Sequence, residues 1–572
     1  MDFENAMEDK IYGYLKGLVE VPSVSNTPCE KEAADRIAGY INGQSYFKIH
    51  PEYAGQYELQ NDSLGRTTPY GLVKGTSAKT IILTGHYDVV DTQEYGKFGR
   101  FAYDIEAWKN AQGKELEELL SMLPARARED FYSGQWIFGR GVNDMKGGLS
   151  IGLALLDWYG SWMLREPELP GNLLFAAVAD EEAYSAGMRG SAGFFEKLKR
   201  EQGLDYACLV DLEPTFDEGQ GQEVHIGSVG KTMPAILVQG AKAHVVECFR
   251  GLNAVGVLAE MFMKTELMPE FSEEYKGELC PPPTWFHLRD RKEGYDVSVP
   301  LRAAGYMSML GFSKTPEEIL KRLKKLGRES FKDYLERMKR QKNQTGSKEK
   351  LPEVCLESCV LEYGELMELC RKKGESGHDG AGKNATGSEP GGSFDEWYQG
   401  LHERIGAELE RGDLNYPQAT LEIMDALLTY SGITSPVMVV AFAPPYYPAF
   451  HSDRLAGREG AGTAAFEVLK QAAVEACGIK LAKKHYFCGI SDLSYCGGTD
   501  SGQLQAYAEN APLWGNAYSM DFQAMSCFQV PALLFGPIGR DAHQMSERVK
   551  TSSLLKDVPA ILQRFIEQMF AN

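Results

Sequence analysis

The chain has 572 residues, 43% hydrophobic and 24% charged, which is enough apolar material for more than one domain core. Its 60 Lys and Arg against 80 Asp and Glu give a formal charge of −20, which argues against nucleic acid or an anionic membrane as the main partner. No stretch reaches the apolar length of a membrane span, and the acidic start MDFENAMEDKIYGYLKGL lacks the basic head of a signal peptide. Eleven cysteines without a CxxC pair point to reduced thiols in the cytoplasm.

The first elements read as helices. Ile11, Leu15 and Leu18 fall at helical spacing before the breaker VPSVSNT, and CEKEAADRIAGYINGQ forms a second helix. From Thr80 onward short apolar strands alternate with helical patterns. They run as the strand TIILTG, the apolar helix GGLSIGLALLDWYGSWML, the strand NLLFAAVA, the helix GSAGFFEKLKREQG and the strand YACLVDL. Continuous rather than alternating apolar runs predict strands buried on both faces, and the helices between them predict a largely parallel α/β sheet.

The middle of the chain differs. MPAILVQGAKAHVV predicts a strand and turn, GLNAVGVLAEMFMK a helix, and the charged run from Ser313 to Gln344 a solvated helix. Gly374 to Ser393 is rich in Gly and Ser and predicts a mobile loop. SPVMVVAFAPPYYP returns as a strand, followed by the helix GTAAFEVLKQAAVEACG and the buried strand PALLFGPIG. The simplest architecture is an α/β domain in two parts, 1–230 and 450–572, interrupted by an inserted domain over 231–449.

The chemistry gathers where the strands stop. TIILTG ends in His86-Tyr87-Asp88, NLLFAAVA in Asp180-Glu181-Glu182, YACLV in Asp211-Leu212-Glu213, and PALLFGPIG runs into Asp541-Ala542-His543. One acidic strand end is an ordinary solvated turn. Four of them with two histidines describe a convergent metal site, because sites in open parallel sheets form at the carboxyl ends of strands. Three carboxylates in a row repel one another unless a cation or a shared proton compensates them. Histidine and carboxylate without cysteine suit zinc or a similar divalent ion in a hydrolytic site. GRGVNDMKGG adds Asp144 in a Gly-rich loop that opens an apolar helix and lacks the spacing of a P-loop.

LTGHYDVVDT, GRGVNDMKGG, DEEAYSAGMRGS, GAKAHVVECFRGLNAV and DAHQMSERV occur in that order. Together they resemble the zinc metallopeptidase family of glutamate carboxypeptidase, aminoacylase, succinyl-diaminopimelate desuccinylase and bacterial dipeptidases. APPYYPAF, GISDLSY and the oversized insertion resemble its arginine-utilisation branch. The resemblance implies a phosphorylase/hydrolase-like zinc-peptidase α/β domain with a mainly parallel sheet, interrupted by an inserted α+β lid domain.

It also implies two divalent metal ions, zinc foremost with cobalt or manganese as alternatives, bridged by Asp144 across a cis Asp144–Met145 peptide. His86 and Asp211 would hold one ion, Glu182 and His543 the other. Glu213, on the same strand face as the preferred Asp211, is the alternative ligand. Asp88 would accept the other imidazole N–H of His86, and Glu181 would act as general base. His244 would help polarise the scissile carbonyl, commonly across a dimer interface. Asn253 would meet a substrate carboxylate or else cap the following helix, and Asp500 would lie beside the substrate pocket.

The expected function is a di-metal hydrolase cleaving an amide or peptide bond of a small amino-acid-derived substrate with a free carboxylate. It would be of aminoacylase, dipeptidase or deacylase type and work as a monomer or homodimer. The alternative is a catalytically inactive metal-binding or regulatory relative of the same fold.

Overall fold

The structure, a computed structural model, describes residues 3–571 apart from 61, 218, 376–392 and 498–500. The chain forms two compact units. One comprises Met1–Ser228, Phe450–Gly498 and Asp521–Asn572, and the other Val229–Ala449 with Thr499–Met520.

The first unit is built on an eight-stranded sheet. Its order is Ala54–Glu58, Thr67–Val73, Asn172–Val178, Lys79–His86, Asp205–Asp211, Ala532–Leu534, Gln222–His225 and Leu481–Lys484. The four strands from Asn172–Val178 to Ala532–Leu534 pair in parallel. The apolar runs are doubly covered as their composition demands, and Asn172–Val178 is buried at every residue. The helix Phe3–Val19 turns Ile11, Leu15 and Leu18 into the same core as Leu149, Leu153 and Leu156 of the helix Lys146–Arg165.

Register aligns the strand ends. His86 pairs with Val178, Thr84 with Asp211, and Leu534 with Asp211. The segments Tyr87–Asp88, Asp180–Glu182 and Leu212–Glu213 therefore leave the sheet at one edge. Two glycines make room there, because a Cβ on Gly148 or Gly536 would stand 2.1 or 2.2 Å from the Leu212 carbonyl oxygen.

His225, at the end of its strand, is buried with Nδ1 unbonded, and burial aided by Lys484 pushes its pKa down to about 4. An unfolded imidazole titrates near 6.5, so the unfolded chain takes up this proton first. The stability contribution is complete above about pH 6.5 and falls as the pH drops towards about 4. His225→Gln is expected to flatten that part of the stability profile in urea titrations across this range. An unchanged slope would assign the dependence to other groups.

The second unit holds a five-stranded sheet in the order Thr284–Asp290, Arg302–Gly311, Gly230–Gln239, Val437–Tyr447 and Val360–Glu362. All neighbours are antiparallel except the last pair. Three of these strands, Thr284–Asp290, Arg302–Gly311 and Val360–Glu362, lie in the insertion that the sequence places around 265–430. RAAGYMSMLG has a weak strand composition, and pairing on both sides fixes it where propensity does not.

The helix expected to be solvated, Pro316–Thr345, is instead amphipathic and buries Ile319, Leu320, Leu323, Leu326 and Phe331. A Thr315–Glu318 capping box starts it, and Gly346 at φ 69° ends it. Most of the expected Gly/Ser-rich loop, 376–392, lies outside the described residues. Among the described residues no helix is long and apolar enough to cross a membrane.

Candidate metal centre

Four of the five expected ligands come together at the sheet edge of the first unit. His86 Nε2 lies 3.0 Å from Asp144 Oδ1, and His543 Nε2 lies 3.2 Å from Asp144 Oδ2 and 2.9 Å from Glu182 Oε2. Asp144 thus offers one oxygen to each histidine, and the Asp144–Met145 peptide that carries it is cis. The fifth position differs from expectation. Glu213 Oε1, 3.4 Å from His86 Nε2, joins His86 and Asp144, while Asp211 stays out of the group with both oxygens buried and unbonded. The strand stops at Asp211, and the chain beyond it swings Glu213 back to the histidine.

The surrounding backbone is held by carboxylates. Asp88 does more than orient an imidazole. His86 Nδ1 donates to the Asp88 carbonyl at 3.0 Å, and the Asp88 carboxylate lies 3.4 Å from the same nitrogen. That carboxylate also accepts the backbone N–H groups of Glu181 and Glu182, each at 3.1 Å, and the Ser25 hydroxyl at 2.6 Å. Glu547 accepts the N–H groups of Asn143 and Asp144 at 3.2 Å and pairs with Arg140 at 2.6 Å. It stands four residues after His543, inside a motif the sequence offered, yet nothing in its spacing announces the distant partner.

Asp180 is structural. At φ 65°, it accepts the Ala186 N–H through Oδ2, while its carbonyl accepts those of Ala183 and Tyr184. Arg66 braces it, reaching Asp180 at 3.0 Å, Glu30 at 3.1 Å and Asp62 at 2.6 Å. This guanidinium joins three segments and is almost wholly buried. Arg66→Leu is expected to cost about 3–5 kcal/mol of stability, because it strands buried carboxylates. Denaturant unfolding measures this, and a loss of under about 1 kcal/mol would show that the carboxylates do not depend on it.

The electrostatics fit divalent cations. Burial works against a charged His86, yet Glu213, Asp144 and Asp88 outweigh it and hold its pKa well above the ordinary imidazole value. Hydrogen bonds to Asp144 and Glu182 raise His543 to about 10 against its burial. Burial, with Asp144 adding to it and His543 opposing, lifts Glu182 to about 7. Burial also raises Glu213 and Asp211. Two imidazoles thus face five carboxylates, Asp144, Glu181, Glu182, Asp211 and Glu213, and cations would relieve the excess. Among the described residues two donor groups could each hold an ion, His86–Asp144–Glu213 and Asp144–Glu182–His543. All donors are nitrogen or oxygen, as zinc and its neighbours accept.

Two of the remaining candidates, His244 and Asn253, belong to the second unit. His244, in the second unit, is exposed and its Nδ1 accepts the Val246 N–H at 3.3 Å. Asn253 caps the helix Ala254–Met263, its Oδ1 accepting the Val255 N–H at 2.9 Å, which is the capping role the sequence left open. Asp500 lies outside the described residues.

A mainly parallel α/β sheet with two histidine–carboxylate groups sharing one aspartate at its strand ends is a framework suited to divalent ions. The sequence profile of Peptidase family M20/M25/M40 matches residues 82–568, and the chain belongs to that family. It is similar to the YqjN protein of Bacillus subtilis (strain 168), 29% identical over 561 residues that cover 97% of this chain and 95% of that one. It is also similar to Protein RocB of the same strain, 23% identical over 569 residues covering 97% and 94% of the two chains. Among solved structures, aminopeptidase PepT from Bacillus cereus ATCC 10987 shares the fold, with a TM-score of 0.50 at 13% identity and 99% of each chain covered.

Proposed function

We propose that the chain is a di-metal hydrolase cleaving an amide or peptide bond of a small amino-acid-derived substrate. His86, Asp144 and Glu213 would hold one ion, and Asp144, Glu182 and His543 the other, with zinc foremost and cobalt or manganese as alternatives. When bound, the ions supply Lewis acidity that brings the pKa of a water towards neutrality and polarises a substrate carbonyl.

Glu181 moves the proton. Its Oε2 lies 4.0 Å from His86 Nε2, and it belongs to neither donor group. Burial raises its pKa well above the ordinary carboxylate value; His86 opposes this, while Glu213, Glu182 and Asp492 add to it. Placed beside both groups, Glu181 would take a proton from the attacking water and pass it to the leaving amine. Asp88, accepting the N–H groups of Glu181 and Glu182, fixes the backbone that carries the base and the adjacent ligand. The observation that carries the reading is the geometry, two ion-binding groups that share Asp144 with the Glu181 carboxylate beside them and in neither.

The eleven cysteines include none in a disulfide, which supports a reducing compartment, the cytoplasm. The decisive experiment strips the protein with a chelator, reloads it with zinc, cobalt or manganese, and screens N-acyl amino acids and dipeptides, all carrying a free carboxylate. Metal-dependent amide hydrolysis is expected. Binding of metal with no hydrolysis across the panel would favour the inactive, metal-binding reading.

A further inference from the structure

The second unit carries two cavities that meet on one helix. The larger, about 950 Å³, lies against Phe271, Lys314 and the first turns of Pro316–Thr345. The smaller, about 510 Å³, is lined by Leu320, Glu362 and Glu509. Lys321 and Arg328 line both cavities. Seven residues apart on one helix, they share a face and stand about 10 Å apart along its axis.

The acids of the larger cavity are already engaged. Glu270 pairs with Arg322. Glu273 accepts the Ser313 hydroxyl at 2.6 Å and the Phe312 N–H at 3.2 Å. Glu318 accepts the Thr315 N–H at 2.9 Å in the capping box. Lys314 donates to the Phe271 carbonyl at 2.6 Å. Among the described residues no carboxylate lies within 4.0 Å of Lys321 or Arg328. In a chain of charge −20, the helix itself holds ten Lys and Arg against five Asp and Glu. Two uncommitted cations at this separation are too far apart for one carboxylate. They suit an anion with charge at more than one point, and Phe271 and Ile319 supply an apolar wall for the rest of it.

We propose that the junction of these two cavities is a binding site for a small, multiply phosphorylated molecule, held between Lys321 and Arg328. The assignment rests on the second unit alone and is independent of the hydrolytic reading. Pyrophosphate serves as the probe, titrated calorimetrically into the metal-loaded chain at constant ionic strength, with metal content measured before and after. Saturable binding is expected. The double substitution Lys321→Gln/Arg328→Gln should weaken it about tenfold or more, and Arg328→Lys, which keeps the charge and loses the planar fork, by less. Lys339→Gln/Arg340→Gln removes the same charge from the same helix outside the cavity and should leave binding unchanged. Both target side chains are exposed, so the fold is expected to tolerate their loss, with circular dichroism as the check. Absence of saturable binding would overturn the assignment, as would equal affinity in the cavity double variant or equal weakening in the control pair.

Discussion

Glu181→Gln is expected to lower kcat by roughly 10²–10⁴-fold while metal content and KM stay close to those of the parent. The amide has the shape of the carboxylate but cannot carry the proton between water and leaving group. Glu181 is in neither donor group, so its loss leaves His86, Asp144, Glu182, Glu213 and His543 in place. Metal analysis beside steady-state kinetics separates the possibilities. A variant that loses metal would make Glu181 a ligand, and a variant with undiminished kcat would remove it from the chemistry.

The second large effect distinguishes two neighbouring acids. Glu213→Gln is expected to release about one of the two proposed ions, with activity falling in step. Asp211→Asn should keep both. Asp211 is buried with neither oxygen bonded, and burial with Glu213 and Asp492 beside it holds its pKa far above the usual range. Asp211 belongs to neither donor group, and asparagine keeps the size of its side chain, so the substitution tests ligation alone. Equilibrium dialysis of the two variants against zinc, read by elemental analysis, decides the matter. Metal loss from Asp211→Asn alone would restore Asp211 as the ligand.

These two residues also mark how far the sequence could be read. The apolar runs before His86, Asp180 and Asp211 place the strand ends because a doubly buried strand has no choice but to be apolar throughout. His86 and the acids Glu181 and Glu182 follow from that placement, whereas Asp144, in its Gly-rich loop, and the metal-ligand roles come from the resemblance of the motifs. Two acids one residue apart at a strand end cannot be separated in this way, since the outcome depends on whether the strand runs past them, and here it stops at Asp211. Arg66 and Glu547 were invisible for a related reason. Each acts through partners far along the chain, and neither has a local pattern. The strands Thr284–Asp290 and Arg302–Gly311 were hidden because neighbouring strands, not composition, give them their place. Asn253 went the other way. Its position before an apolar helix predicts a cap, and the structure shows that capping bond through Oδ1.

The Ala532–Leu534 strand lies between Asp205–Asp211 and Gln222–His225, and it delivers His543 and Glu547 shortly afterwards. On the ribosome these are late residues. A nascent chain already holding His86, Asp144, Glu181 and Glu182 still has a divided sheet, no second imidazole and no clamp on the peptide of Asp144. Its four oldest site residues wait through several hundred codons for their last partners. Capture of the proposed ions with native geometry thus waits for His543 and Glu547, and prematurely terminated chains are left with a concentrated patch of acid and nothing to fix where a cation would sit.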